Sequence, residues 1–154
     1  MQLLKDPCPG NTTLSLVFII ARSAVTSMFT LSFATSLNEF ITELILPELC
    51  KSIKKGELAG LNVTVPFKKT IIPYLDILSG DALRTQSVNT VSLSKGNLIG
   101  DNTDIDGFEF GIKKINYDVT DKIVLILGAG GVVPSIICAL QRMNASKIVL
   151  SNRT

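Results

Sequence analysis

Apolar side chains recur at Phe40, Ile41, Leu44, Ile45, Leu49 and Ile53, the spacing of a helix from Asn38 to Ile53 with one buried side. Pro47 falls inside this run. It lacks an N–H and clashes with the preceding turn, so it breaks or restarts the helix, and Gly56 serves as the C-cap. Leu58 to Thr64 reads as a short strand. Pro66 suits the first turn of a following helix, and Pro73 ends or shifts that helix. Val88 to Leu93 and Asn97 to Ile99 flank Ser94-Lys95-Gly96, which predicts a hairpin with Gly96 at a positive φ. Thr103 to Ile115 and Val132 to Met143 read as helices, and Lys147 to Ser151 as a strand. Lys122 to Leu127 is a continuous apolar run, as expected of a parallel strand covered on both faces. Strand, Gly-rich turn, helix and strand in that order make a βαβ unit. The fold class is α/β.

Composition narrows the function classes. The chain has 154 residues, enough for one complete domain with a core. Charged residues make up 18% and the net charge is +2, too small and too scattered for a nucleic-acid surface. Leu14 to Ile20 is mostly apolar, but Arg22 and recurrent Ser and Thr interrupt it before it reaches the roughly 18 residues of a membrane span. A buried strand and helix is expected there instead, and no membrane partner. Cys8, Cys50 and Cys138 are odd in number and far apart, which argues against a disulfide framework or a zinc site. They read as buried or incidental thiols in a reducing, cytoplasmic setting. The chain contains no histidine, so a His-based triad, imidazole base or His metal site is excluded.

The turn Gly128-Ala129-Gly130-Gly131-Val132-Val133 follows one strand and opens one helix. Gly128 allows the tight turn, and Gly130 lets the backbone approach a pyrophosphate, which the helix N-terminus attracts. Val133 stands where the generic fingerprint carries Gly or Ala. At the end of the next strand, NAD-binding folds usually place an acidic residue for the ribose 2′-OH. This chain has Ser151-Asn152-Arg153-Thr154, where Arg153 attracts a 2′-phosphate and Asn152 and Thr154 can donate hydrogen bonds. NADP is favoured over NAD.

Two upstream segments are polar where a plain core would not require it. Asn62 and Thr64 share strand parity in Gly60-Leu61-Asn62-Val63-Thr64-Val65-Pro66-Phe67-Lys68, and Lys68 sits on the next helix's first turn. Gly100-Asp101-Asn102-Thr103-Asp104 lies at a strand-to-helix junction, and Asn89-Thr90 falls between the two segments. Taken singly, Lys68 is a surface lysine and Asp104 a first-turn acid. Taken in order with Asn102-Thr103-Asp104-Ile105-Asp106-Gly107-Phe108, Gly128-Ala129-Gly130-Gly131 and Asn152-Arg153-Thr154, they resemble the shikimate dehydrogenase family from Gly60 to Thr154.

The resemblance implies reversible, NADPH-dependent reduction of 3-dehydroshikimate to shikimate, on the route to chorismate and the aromatic amino acids. It implies Lys68 and Asp104 as the catalytic pair, with Thr64 and Asn89 on substrate hydroxyls and Asn62 lining the same region. It assigns Gly128, Ala129, Gly130, Gly131, Val132, Asn152, Arg153 and Thr154 to the cofactor, and it allows a homodimer in the full-length enzyme. The architecture implied is a substrate-binding α/β domain, residues 1–104, followed by an incomplete Rossmann-type dinucleotide-binding domain, residues 105–154. The family's Ser-Leu-Ser-Pro stretch, which binds the substrate carboxylate, has its nearest match at Thr13-Leu14-Ser15-Leu16. Hydroxyls stand at Thr13 and Ser15, and proline is absent. A full dinucleotide fold needs about six strands, whereas only two follow Asp121. A fragment or truncated product is therefore expected. A non-catalytic remnant and a quinate/shikimate dehydrogenase that also takes NAD are the competing readings.

Overall fold

The computed structural model describes residues 36, 37 and 39–153. The chain divides into two compact units, with the division between Asp101 and Asn102. Thr13, Ser15, Leu14 to Ile20, Cys8 and Thr154 lie outside the described residues.

In the first unit a π-helical turn, Ile41–Ile45, runs into helix α1, Leu46–Lys54. The chain continues through strand β1 (Gly60–Asn62), helix α2 (Phe67–Thr70) and a 3₁₀ turn (Ile72–Tyr74). Strand β2 (Ile77–Leu78), helix α3 (Gly80–Thr85), strand β3 (Thr90–Ser94) and strand β4 (Asn97–Asp101) complete it. The four strands form one sheet in the order β1-β3-β4-β2, antiparallel except for β2 beside β4.

Pro47 stands in the first turn of α1, just after the π-helical turn. The helix ends in a Schellman motif: Glu57 N–H donates to the Ser52 carbonyl and Gly56 N–H to that of Ile53, with Gly56 at φ 77°. The buried side of this segment is only partly the one expected. Ile53 is buried and Ile41 and Leu49 pack partly buried against the core, but Phe40 and Leu44 are exposed, and Leu46 and Cys50 are buried instead. The wider π turn rotates the side chains ahead of Leu46 relative to those after it, so a constant helical period assigns the wrong face there. Cys50 and Cys138 are buried free thiols, and burial pushes the Cys50 thiol up.

The hairpin turns on Lys95 (φ 50°) and Gly96 (φ 82°), both left-handed, as a two-residue type I′ connection requires. Helix α3 and strand β2 were not foreseen. Ser79 caps α3, its Oγ accepting from Ala82 N–H at 3.2 Å. Beside β2, Asp76 accepts the Leu98 N–H at 2.7 Å and an Nζ–H of Lys54 at 2.9 Å. The Leu98 amide and then Lys54 hold its carboxyl below the usual range. The core beneath the sheet gathers Leu46, Ile53, Leu61, Phe67, Ile71, Val88, Val91 and Leu98.

Gly60 is fixed by close approach. A Cβ there would lie 2.7 Å from the Val91 carbonyl oxygen, a backbone atom paired in the sheet. Gly60→Ala is expected to destabilise the chain by about 1–3 kcal/mol, the usual cost of overpacking, read as a lower urea midpoint.

In the second unit, helix α4 (Asp104–Lys114) precedes strand β5 (Ile123–Leu127), helix α5 (Val133–Arg142) and strand β6 (Lys147–Ser151). Strands β5 and β6 are parallel neighbours. Helices α4 and α5 pack through Ile105, Phe108, Cys138 and Ala139, and Arg142 Nη1 reaches Asp106 at 3.3 Å. Ile123, Leu125, Leu127 and Val149 are exposed, while Val124, Ile126 and Ile148 are half-buried. The continuous apolar run of β5 thus has one open face here, not two covered ones. No helix among the described residues is long and apolar enough to cross a membrane.

Candidate functional site

The polar residues of the first unit are drawn together by backbone hydrogen bonds. Leu61 and Val63 are buried, and the alternate residues Asn62 and Thr64 are half-buried. Asn62 pairs with Thr90 across β1 and β3, and Val63 N–H donates to the Asn89 carbonyl at 2.8 Å, so the pairing extends past the strand ends. The chain then turns. Phe67 N–H donates to the Thr64 carbonyl at 2.8 Å, and the Val65–Pro66 bond is cis.

Phe67, 1% exposed, anchors α2 in the core, which leaves Lys68 half-buried on the helix's first turn. The Lys68 carbonyl accepts from Val88 N–H at 2.8 Å, fastening the start of α2 beside Asn89. Asn89 N–H donates to the Asp101 carbonyl at 2.9 Å, and Thr90 Oγ1 donates to Asn89 Oδ1 at 3.1 Å. Asn62, Thr64, Lys68 and Asn89, spread over 28 positions, thus adjoin one another at one end of the sheet. The segments so joined carry an ammonium, two amides and a hydroxyl, groups that can bind and polarise a polar substrate.

Asp104 is the first residue of α4 in the second unit and is half-buried. Its N–H donates to Asn102 Oδ1 at 3.1 Å. A carboxylate at a helix start is favoured by the helix dipole.

The Gly-rich turn joins β5 to α5. Gly128 takes φ 101°, a conformation open to glycine, and its N–H donates to the Ser151 carbonyl at 2.8 Å. That bond sets Asn152 and Arg153, both exposed, next to the turn at the carboxyl ends of the two parallel strands. A Cβ on Gly130 would meet no atom within 4 Å, and its φ is not positive. Neither packing nor backbone conformation demands glycine at that position. Val133 N–H is taken by the Gly130 carbonyl and Ser135 N–H by that of Val132, and Pro134 has none. Donors for an anion are therefore the amides ahead of Val133.

Residue pattern alone assigns Asn102 no role beyond its place in a polar segment, and Ser135 none. Both are buried, and Asn102 Nδ2 donates to Ser135 Oγ at 3.0 Å. A serine three and four positions before the buried pair Cys138 and Ala139, on the core side of α5, is the signal that could have drawn attention.

The profile described as the shikimate dehydrogenase substrate binding domain matches residues 29–91. A shikimate dehydrogenase (NADP(+)) of Pelagibacter ubique is 53% identical over 109 residues, covering 71% of this chain and 41% of that protein. The crystal structure of shikimate 5-dehydrogenase from Thermus thermophilus, in complex with NADP(H) and shikimate, matches with a TM-score of 0.61 at 34% identity, over 71% of this chain and 41% of that one. A 5-ketofructose reductase of Gluconobacter, solved ligand-free, matches with a TM-score of 0.64 at 35% identity, over 70% and 40%. The chain spans about two fifths of the length of these proteins. With its polar cluster, Gly-rich turn and matched residues taken together, the chain belongs to the shikimate dehydrogenase family.

Proposed function

We propose that this chain carries the substrate site and the first part of the NADP site of a cytoplasmic shikimate dehydrogenase, which interconverts 3-dehydroshikimate and shikimate. The observation that carries the proposal is the joining of Asn62, Thr64, Lys68 and Asn89 through the Val63–Asn89 and Val88–Lys68 backbone bonds. NADP, when bound, supplies or accepts the hydride at the substrate's C3 carbon. Lys68 donates a proton to the attached oxygen and polarises it as charge develops, and Asp104 is its carboxylate partner. Thr64 and Asn89 orient the substrate hydroxyls, Asn62 lines the site, and Thr13 and Ser15 meet the carboxylate. The amides ahead of Val133 hold the pyrophosphate, and Gly130 leaves room for it. Arg153, with Asn152 and Thr154, holds the 2′-phosphate. The absence of any intrinsic need for glycine at position 130 supports a ligand against that turn.

Shikimate itself tests the substrate assignment. At about 100 times its Kd, a ligand specific for the folded state stabilises by about 2.7 kcal/mol. Shikimate is expected to raise the unfolding temperature of the 154-residue chain, and Asn89→Ala to abolish the rise. No rise in the wild-type chain at high shikimate concentration would count against these residues as the site.

A further inference from the structure

We infer that Asn102 and Ser135 form a buried strut that fixes Asp104 relative to the helix behind the Gly-rich turn, so that Asn102 is a positioning residue for the Asp104 carboxylate. The inference rests on Asp104 being half of the catalytic pair.

Asn102 is 1% exposed and Ser135 is 0% exposed. The Asp104 backbone N–H can only donate, so the amide oxygen of Asn102 must face it. The amide nitrogen is thereby turned to Ser135 Oγ, 33 residues further along the chain. One planar group thus spans from the first residue of α4 to the third residue of α5. The residue at the N-cap of α4, Thr103, makes no side-chain capping bond. Its neighbour Asn102 instead takes the N–H of the residue that carries the carboxylate. Two apolar side chains would fill the same space without the cost of burying polar atoms. What the polar pair adds is direction: it sets where the first turn of α4 starts and ties that point to the turn that follows Gly130 and Gly131. A carboxylate that must meet a reacting proton carrier is sensitive to such placement.

The test separates placement from stability. It uses a chimaera in which the Pelagibacter ubique relative continues the chain beyond Thr154. Ser135→Ala removes the hydroxyl that accepts from Asn102 Nδ2 and keeps a good helix former. It is expected to lower kcat for 3-dehydroshikimate reduction by about 10- to 100-fold, the scale of a misplacement of about 1 Å, with both KM values within about twofold. The double variant Asn102→Leu with Ser135→Ala restores an apolar core. Its unfolding temperature is expected to return towards that of wild type while kcat stays low. If kcat recovers together with stability, the pair is merely structural and the inference is overturned. Full kcat in Ser135→Ala would overturn it as well. An inactive wild-type chimaera would sink the proposed reaction instead. The strut would then be judged in the 154-residue chain by hydrogen exchange. Faster exchange of the Asp104 amide in Ser135→Ala supports it, and unchanged exchange refutes it.

Discussion

Lys68→Ala, made in the chimaera, is expected to lower kcat for 3-dehydroshikimate reduction by about 10²–10⁴-fold, the usual loss with a general acid, and to change KM little. The reason lies in how the residue is held. Phe67 is sunk in the core and the Lys68 carbonyl is bound by Val88 N–H, so the backbone at Lys68 is fixed from both sides. In the proposed site Asn89, Thr64 and Asn62, joined to the Lys68 segment by the Val63–Asn89 and Val88–Lys68 backbone bonds, supply binding contacts that the substitution leaves in place. Ground-state affinity therefore survives while proton transfer is lost. With no histidine in the chain, no imidazole in this region can take over. Lys68→Arg is not expected to restore the rate, because a guanidinium keeps its proton at any working pH. Steady-state kinetics on the three proteins checks this, and a near wild-type kcat in Lys68→Ala would remove Lys68 from the chemistry.

The second large effect concerns cofactor choice. Arg153 lies two residues past the end of β6, and the Gly128–Ser151 hydrogen bond holds that strand end against the Gly-rich turn. A hydrogen bond to a charged group contributes about 1.5–3 kcal/mol. Arg153→Asp is therefore expected to lower kcat/KM for NADPH by about 10- to 100-fold, since 1.4 kcal/mol is tenfold. The new carboxylate repels a 2′-phosphate but can accept from a 2′-OH, so NADH is affected far less. Rates with both cofactors, before and after the substitution, give the ratio. An unchanged NADPH-to-NADH preference would show that Arg153 does not meet the 2′-phosphate.

Much of this molecule is legible in its residues because local signals and tertiary needs coincide. The second unit shows this best. A β-branched run, a glycine turn and an amphipathic helix follow one another, and β5, α5 and β6 form within two residues of their expected bounds. The hairpin was equally plain, since Lys95-Gly96 sits between two short strand-like runs. Elements held by distant partners were not. Strand β2 is two residues long and exists by pairing with Ile99 and Gly100. Helix α3 is a six-residue element beginning after the Ser79 cap. The face of the first helix was partly misjudged because no residue pattern marks the π turn at Ile41–Ile45.

The candidate site divides in the same way. Parity placed Asn62 and Thr64 on one side, and Pro66 placed Lys68 on a first turn. Their approach to Asn89 depends on β1 lying against β3, a contact across about 30 residues that periodicity does not encode. The Asn102–Ser135 bond crosses a similar span and joins residue types common in any loop and any helix. Such a pair becomes visible only when both ends are seen to be buried.

One measurement bears most directly on the central claim. The chimaera is mixed with NADPH and 3-dehydroshikimate, and the loss of NADPH is followed for the wild-type and Lys68→Ala forms, each first checked to be folded. Turnover that depends on both substrates and collapses in Lys68→Ala is the predicted result. A folded wild-type chimaera that does not consume NADPH with 3-dehydroshikimate, or one whose rate is indifferent to Lys68, would contradict it.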